Sequence, residues 1–302
     1  MKTKKGYRIV QDPETGETKL LKKRTGEVVE AIETILPLGS TSYTPDEQEA
    51  YRKKQEQEKR RRIWRREAEM TGPFCFVSAA KTFSDLKPES MTKLVYLSMY
   101  LSYSGCLMLT ERIKMELADL NGVLGISEAT VRRFLKELEG RYLFSKDGLL
   151  YLDKKTFIRG TINRASDHSS YVKVYRGGMR ALYEHACGKY HRQIGYLFRM
   201  LPYLNIEHNI LCWSPAEIDP ERIWPMTLPE FCEHIGYNTR NMKRLAEAYD
   251  RIVFPYDGHE ERFCSILGDR SRPETTRIQL NPHVLYSGGK PVPVSETGCF
   301  PG

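Results

Sequence analysis

Two short stretches set guanidinium, ammonium and amide groups at spacings that suit contact with phosphates and base edges. The first runs Ser127-Glu128-Ala129-Thr130-Val131-Arg132-Arg133-Phe134-Leu135-Lys136, the second Asn238-Thr239-Arg240-Asn241-Met242-Lys243-Arg244. In the major groove of DNA, arginine forks onto guanine and asparagine onto adenine, while lysine meets phosphate as a point charge. The candidate DNA-binding residues of the first stretch are Ser127, Glu128, Thr130, Arg132, Arg133 and Lys136. Those of the second are Asn238, Arg240, Asn241, Lys243 and Arg244. Lys146 at a turn, and Arg270 and Arg272 in a basic loop, suit the phosphate backbone. A basic run holding Arg60, Arg61, Arg62, Arg65 and Arg66 suits non-specific phosphate tracking, with Trp64 available for stacking. Taken alone, the first stretch also reads as a plain solvated helix; its context on both sides favours DNA contact.

Those side chains need elements to hold them. Val131, Phe134, Leu135 and Leu138 recur at i, i+3, i+4 and i+7, the spacing of one buried helix face, so Arg132, Arg133 and Lys136 fall outward. Ser127 is a suitable N-cap. Gly125 permits a left-handed turn before it, and Leu117 to Leu124 supplies the helix before that turn. Tyr142-Leu143-Phe144-Ser145, the Lys146-Asp147-Gly148 turn and Leu149 to Leu152 predict a β-hairpin. The order predicts a winged helix, with the hairpin as its wing. The second stretch repeats the plan. Thr227 caps Leu228 to Ile235, Gly236-Tyr237 turns, Asn238 caps Thr239 to Tyr249, and Phe263–Leu267 with Thr276–Leu280 form the expected second wing.

Further matches support a repeat. Tyr96 to Tyr103 parallels Tyr196 to Tyr203, and Leu152 to Gly160 parallels Leu280 to Gly288 in length and pattern. A short strand precedes each unit, Phe74–Val77 and Tyr171–Tyr175. The expected fold is mainly α with small β-hairpins (α+β), built as tandem winged helix-turn-helix domains behind an N-terminal β-meander and a basic helix. The expected segments are a meander over 1–40, a basic helical arm over 41–72, winged-helix domains over 73–165 and 166–290, and a disordered tail over 291–302.

Composition bounds the function. The chain has 302 residues, 40% of them hydrophobic, and a formal net charge of +8, which points to a polyanionic partner. No apolar run is long enough for a membrane span and the N-terminus has no signal-peptide core, so a cytoplasmic protein without membrane contact is expected. The 7 cysteines include no Cys-x-x-Cys pair. His185, Cys187 and His191, with Cys232 and His234, carry ligand types for zinc but lack finger spacing; no metal and no cofactor is expected. Phosphate-loop, dinucleotide and relaxase motifs are missing too, so no catalytic residue is assigned and the chain is not read as an enzyme.

The helix-turn-helix reading Leu-Gly-Ile-Ser-x-x-Thr-Val (Leu124 to Val131), the strand Tyr171 to Tyr175 and the ending Leu280-Asn281-Pro282 before a glycine resemble the winged-helix replication proteins of Gram-positive plasmids and phages, the RepL type. The likeness spans most of 73–289; the first copy departs from it at Leu152-Asp153-Lys154. The resemblance implies replication initiation by sequence-specific binding of double-stranded DNA, with host replication proteins as further partners. A transcriptional regulator or recombination accessory factor is the alternative in the same class, and a protein-interaction scaffold the alternative outside it. Monomer and homodimer both fit.

Overall fold

Tyr7–Gln11 (β1), Thr18–Lys22 (β2) and Val28–Ile32 (β3) are short strands separated by turn-forming sequence, and they pair antiparallel in that order. A bulge between Leu20 and Leu21 shifts the β2–β3 register. They belong to one compact unit, Met1–Arg61; a second unit spans Arg62–Gly302. The computed structural model describes residues 7–11, 18–22, 24–25, 28–32, 72–80, 83–138, 140–160, 162, 171–186 and 188–288. The segments expected to be a basic helical arm, with Arg60, Arg61, Arg62, Arg65 and Arg66, and a disordered tail over 291–302 lie outside the described residues.

The second unit begins with Phe74–Ser78 (β4) and the helix Pro88–Ser98 (α1). Next come Leu120–Leu124 (α2), Glu128–Leu138 (α3), and the strands Leu143–Lys146 (β5), Leu149–Leu152 (β6) and Phe157–Ile158 (β7). Then follow Tyr171–Tyr175 (β8), Arg176–His185 (α4), His191–Arg199 (α5), Leu228–His234 (α6) and Met242–Asp250 (α7). Val253–Tyr256 (β9), His259–Arg262 (β10), Cys264–Leu267 (β11), Arg277–Leu280 (β12) and Leu285–Tyr286 (β13) complete it.

The expected fold, mainly α with two tandem winged-helix domains, does not hold. The described residues are mixed α/β, with seven helices and several antiparallel sheets. The reason lies in β4 and β8. Each was expected to open its own domain, yet they pair with each other over Phe74↔Tyr175 to Ser78↔Tyr171. Five-residue strands are marginal alone; joined, they form the centre of a four-stranded sheet ordered β13-β8-β4-β7. The two parallel stretches at Leu152–Gly160 and Leu280–Gly288 supply its opposite edges, β7 and β13. Alternation along these strands turns Cys75, Val77, Val172, Val174 and Leu285 into one core.

The helices confirm the fusion of the two halves. Helix α1 is buried at nearly every position, Met91, Leu94, Val95 and Leu97 included. A helix buried nearly all round needs neighbours on several sides, and α5 is packed against it. Thr92 Oγ1 donates to the His191 carbonyl at 2.7 Å across that contact. A single hydrophobic cluster then runs from Val77 and Leu94 through Phe134, Leu197, Phe231 and Phe254 to Leu285.

Candidate nucleic-acid interface

Helix α3 is positioned by its own sequence. Gly125 closes α2 in the left-handed region (φ 61, ψ 35), where a side chain would strain the backbone. Ser127 Oγ lies 3.4 Å from the Thr130 N–H and 3.0 Å from the Thr130 hydroxyl. Val131, Phe134 and Leu138 are buried and Leu135 is half-buried, as the spacing predicts. The opposite side carries Glu128, Arg132, Arg133 and Lys136, all exposed. Arg132 pairs with Glu128 at 3.4 Å, an exposed contact between residues one turn apart and worth little in water. Arg133 leans back on the helix, donating to the Ala129 carbonyl at 3.2 Å and to Thr130 Oγ1 at 3.3 Å. Lys136 has no ion pair among the described residues.

The other carboxylate of α3 is turned away from this face. Glu137 reaches the first turn of α1, accepting the Lys87 N–H and, at 2.8 Å, the Ser90 hydroxyl. Lys87 provides no side-chain cap of its own, so Glu137 meets orphan donors at the positive end of that helix. Removing this negative charge from the outer side leaves Arg132, Arg133 and Lys136 in the majority there.

The hairpin β5–β6 follows directly. Asp147 and Gly148 both have positive φ (54 and 77), the geometry a two-residue hairpin turn demands. Lys146 stands exposed at that tip. Leu135, Leu143, Phe144 and Leu150 line a cleft of about 350 Å³ between α3 and the hairpin.

The second stretch is arranged similarly at the local level. Thr227 and Glu230 form a reciprocal capping box on α6, and Gly236 turns with φ 68. Asn238 accepts the Arg240 N–H at 3.0 Å, so its side chain serves as a cap. Leu245, Ala246 and Tyr249 are buried, while Arg240, Asn241, Lys243 and Arg244 are exposed. The hairpin after α7, however, is β9–β10 and not the expected Phe263–Leu267/Thr276–Leu280 pair, which forms the separate ladder β11–β12. Asp257-Gly258, again with positive φ at both residues, makes its turn; this dipeptide was the sequence signal for it. Asp257 and Glu260 make that tip acidic, unlike the Lys146 tip.

The basic loop is also differently used. Arg270 forks onto Asp250 with contacts of 2.5 and 2.6 Å, which tethers the loop to the end of α7. Hydrogen bonding to Arg270 in turn holds the Asp250 carboxyl below the ordinary range. Arg272 remains exposed. Glu137 and the arginines Arg159, Arg176 and Arg180 were not singled out by sequence spacing, because their partners are distant in the chain.

Cys75, Cys106, Cys212, Cys232 and Cys264 are free and buried, and burial pushes the Cys75 thiol up to about 12. Among the described residues no three His, Cys, Asp or Glu side chains come together as a metal site, and no helix is long and apolar enough to cross a membrane. No protein-family model, known protein or solved structure matches this chain.

Proposed function

We propose that the chain is a cytoplasmic protein that binds double-stranded DNA, with α3 meeting the major groove and Lys146 at the β5–β6 tip meeting the backbone. The observation that carries this reading is the outward face of α3. Its three cations are exposed, its neighbouring carboxylate Glu137 is occupied at α1, and the element rests on a buried seam that fixes its orientation. A helix with its side chains is about 10–12 Å across, which suits a major groove about 12 Å wide. The exposed set Arg240, Asn241, Lys243 and Arg244 offers a second contact of the same chemistry. The resemblance to plasmid and phage replication proteins makes the replication origin of a mobile element the first duplex to try, and gives this chain recognition without catalysis.

The test is duplex binding measured against salt with the full chain. Lys136→Ala removes one phosphate contact and flattens the slope of log affinity on log salt by about 0.9. Arg133→Ala, if its target is a base edge, costs ~1–3 kcal/mol on a preferred sequence and little on a random one. A wild type that shows no salt-dependent binding to any duplex refutes the proposal.

A further inference from the structure

Three guanidinium groups gather around the turn that follows α1. Arg159, just after β7, donates Nη1–H to the Leu101 carbonyl at 2.7 Å and lies 4.9 Å over the Tyr103 ring. Arg180, on α4, lies 4.4 Å over the Tyr100 ring. Arg176 stands one turn before Arg180, a spacing that puts both on the same face of α4. Burial, and then the charges of Arg159 and Arg180, hold the Arg176 guanidinium below its ordinary value.

Among the described residues these groups have no anionic partner. None of the three forms an ion pair with a described residue. Glu184, one turn further along α4, lies 3.5 Å from the Tyr96 hydroxyl that donates to it. The Nε of Arg180 is buried without a hydrogen-bond partner. The Leu101 carbonyl accounts for Arg159 and the Tyr100 ring for the plane of Arg180. Among the described residues nothing accounts for Arg176 or for the unmet Nε–H. Like charges brought together, and a buried donor left unmet, are both unfavourable until a negative group joins them.

We propose that Arg159, Arg176 and Arg180 form a phosphate-binding site. Guanidinium groups fit phosphate because their planar forks donate two parallel hydrogen bonds. Tyr103, 78% exposed beneath Arg159, offers a flat ring on which a base beside that phosphate can stack. Helix α4, which carries two of these arginines, is tied to the segment leading into α3. Tyr183 of α4 donates to the Leu124 carbonyl at 3.0 Å, one residue before the Gly125 turn. Seven helical residues, about 10 Å, separate Tyr183 from Arg176 along α4. A phosphate of the duplex held by α3 is therefore the favoured ligand, and that assignment rests on the proposed function; a free nucleotide or inorganic phosphate carries the same chemistry.

Two substitutions in the full chain test the site. Arg176→Gln removes one fork. Gly177→Asp adds a carboxylate where a new Cβ meets nothing within 4 Å, and an acid in a first helical turn suits the helix dipole, so the fold is kept. The probes are sodium phosphate against sodium chloride at equal ionic strength, read as Tm, and a short labelled duplex titrated with salt. The expected result is a phosphate-specific rise in Tm that both variants lose, with the Arg176→Gln salt slope lowered by about 0.9. Loss of the Tm response with unchanged duplex binding keeps the site and makes a free phosphate compound its ligand. Loss of the Tm response in a chain whose wild type binds no duplex keeps the site and refutes the proposed function. Salt slopes and phosphate responses identical in wild type and both variants overturn the site, as do equal slopes with no phosphate response at all.

Discussion

Replacing Gly195 by alanine tests the joining of the two halves most directly. In an ordinary helix interior this change stabilises by about 1 kcal/mol, because alanine has the better helix propensity. Here the sign reverses. A Cβ at position 195 would lie 1.8 Å from the Pro88 carbonyl oxygen, 2.3 Å from its carbon and 2.8 Å from its Cα. All three are backbone atoms, so no rotamer relieves the clash. Helices α1 and α5 must part by more than an ångström to reach even the 3.0 Å below which real Cβ contacts essentially never fall. Forced overpacking of this kind costs about 1–3 kcal/mol. The Thr92–His191 hydrogen bond across the contact adds roughly 1 kcal/mol to the loss, which offsets the propensity gain. Net destabilisation of about 1–3 kcal/mol is expected from these terms. Urea unfolding of the full chain, followed by circular dichroism, measures it. A variant as stable as the wild type, or more so, refutes both the close crossing and the single core built on it.

Two other outcomes follow from the same geometry. Glu137→Ala strips α1 of its borrowed cap and lowers stability by about 1 kcal/mol, while duplex affinity stays constant; a gain in affinity would show that this carboxylate faces the DNA. His191 is buried and stacked on Tyr183 at 4.2 Å, and burial pushes its imidazole below the ordinary 6.5. The unfolded chain therefore takes up the proton first, so this site's stability is present above pH 6.5 and falls away as the pH drops below it. The urea midpoint of the wild type should decline on mild acidification, and His191→Gln should remove that part of the decline. A wild-type midpoint that rises on acidification would contradict the burial argument.

Local structure was legible in the sequence where neighbouring residues decide it. Gly125, the Val131–Phe134–Leu138 seam, Asp147-Gly148 and the Thr227 capping box each depend on residues a few positions apart, and each stands where the pattern places it. The architecture was not legible in the same way. The strands Phe74–Ser78 and Tyr171–Tyr175 look alike, and likeness was read as two copies standing apart; nothing in either strand says that its partner is the other. Two signs did point that way. Met91, Leu94, Val95 and Leu97 spread over more than one face of helix α1, and Gly195 leaves room for a backbone. The second hairpin was missed because Val253 to Arg262 lacks clear alternation on its second strand, and only Asp257-Gly258 marks it. At the interface, spacing told which cations face outward. It did not tell that Asp250 would claim Arg270, that Glu137 would leave the α3 face, or that three arginines would share one corner, since each depends on residues far away in the chain.

The sheet ordered β13-β8-β4-β7 has a consequence for biosynthesis. Its centre joins β4 to a strand about a hundred positions later in the chain, and one edge is closed only by Leu285–Tyr286. While translation is under way, β4 waits for β8, and the outer edge of β8 then keeps unpaired amide and carbonyl groups until Leu285–Tyr286 emerges from the ribosome. Such an interval invites intermolecular strand addition. Nascent chains stalled before residue 285 are therefore expected to need chaperone protection that released chains do not.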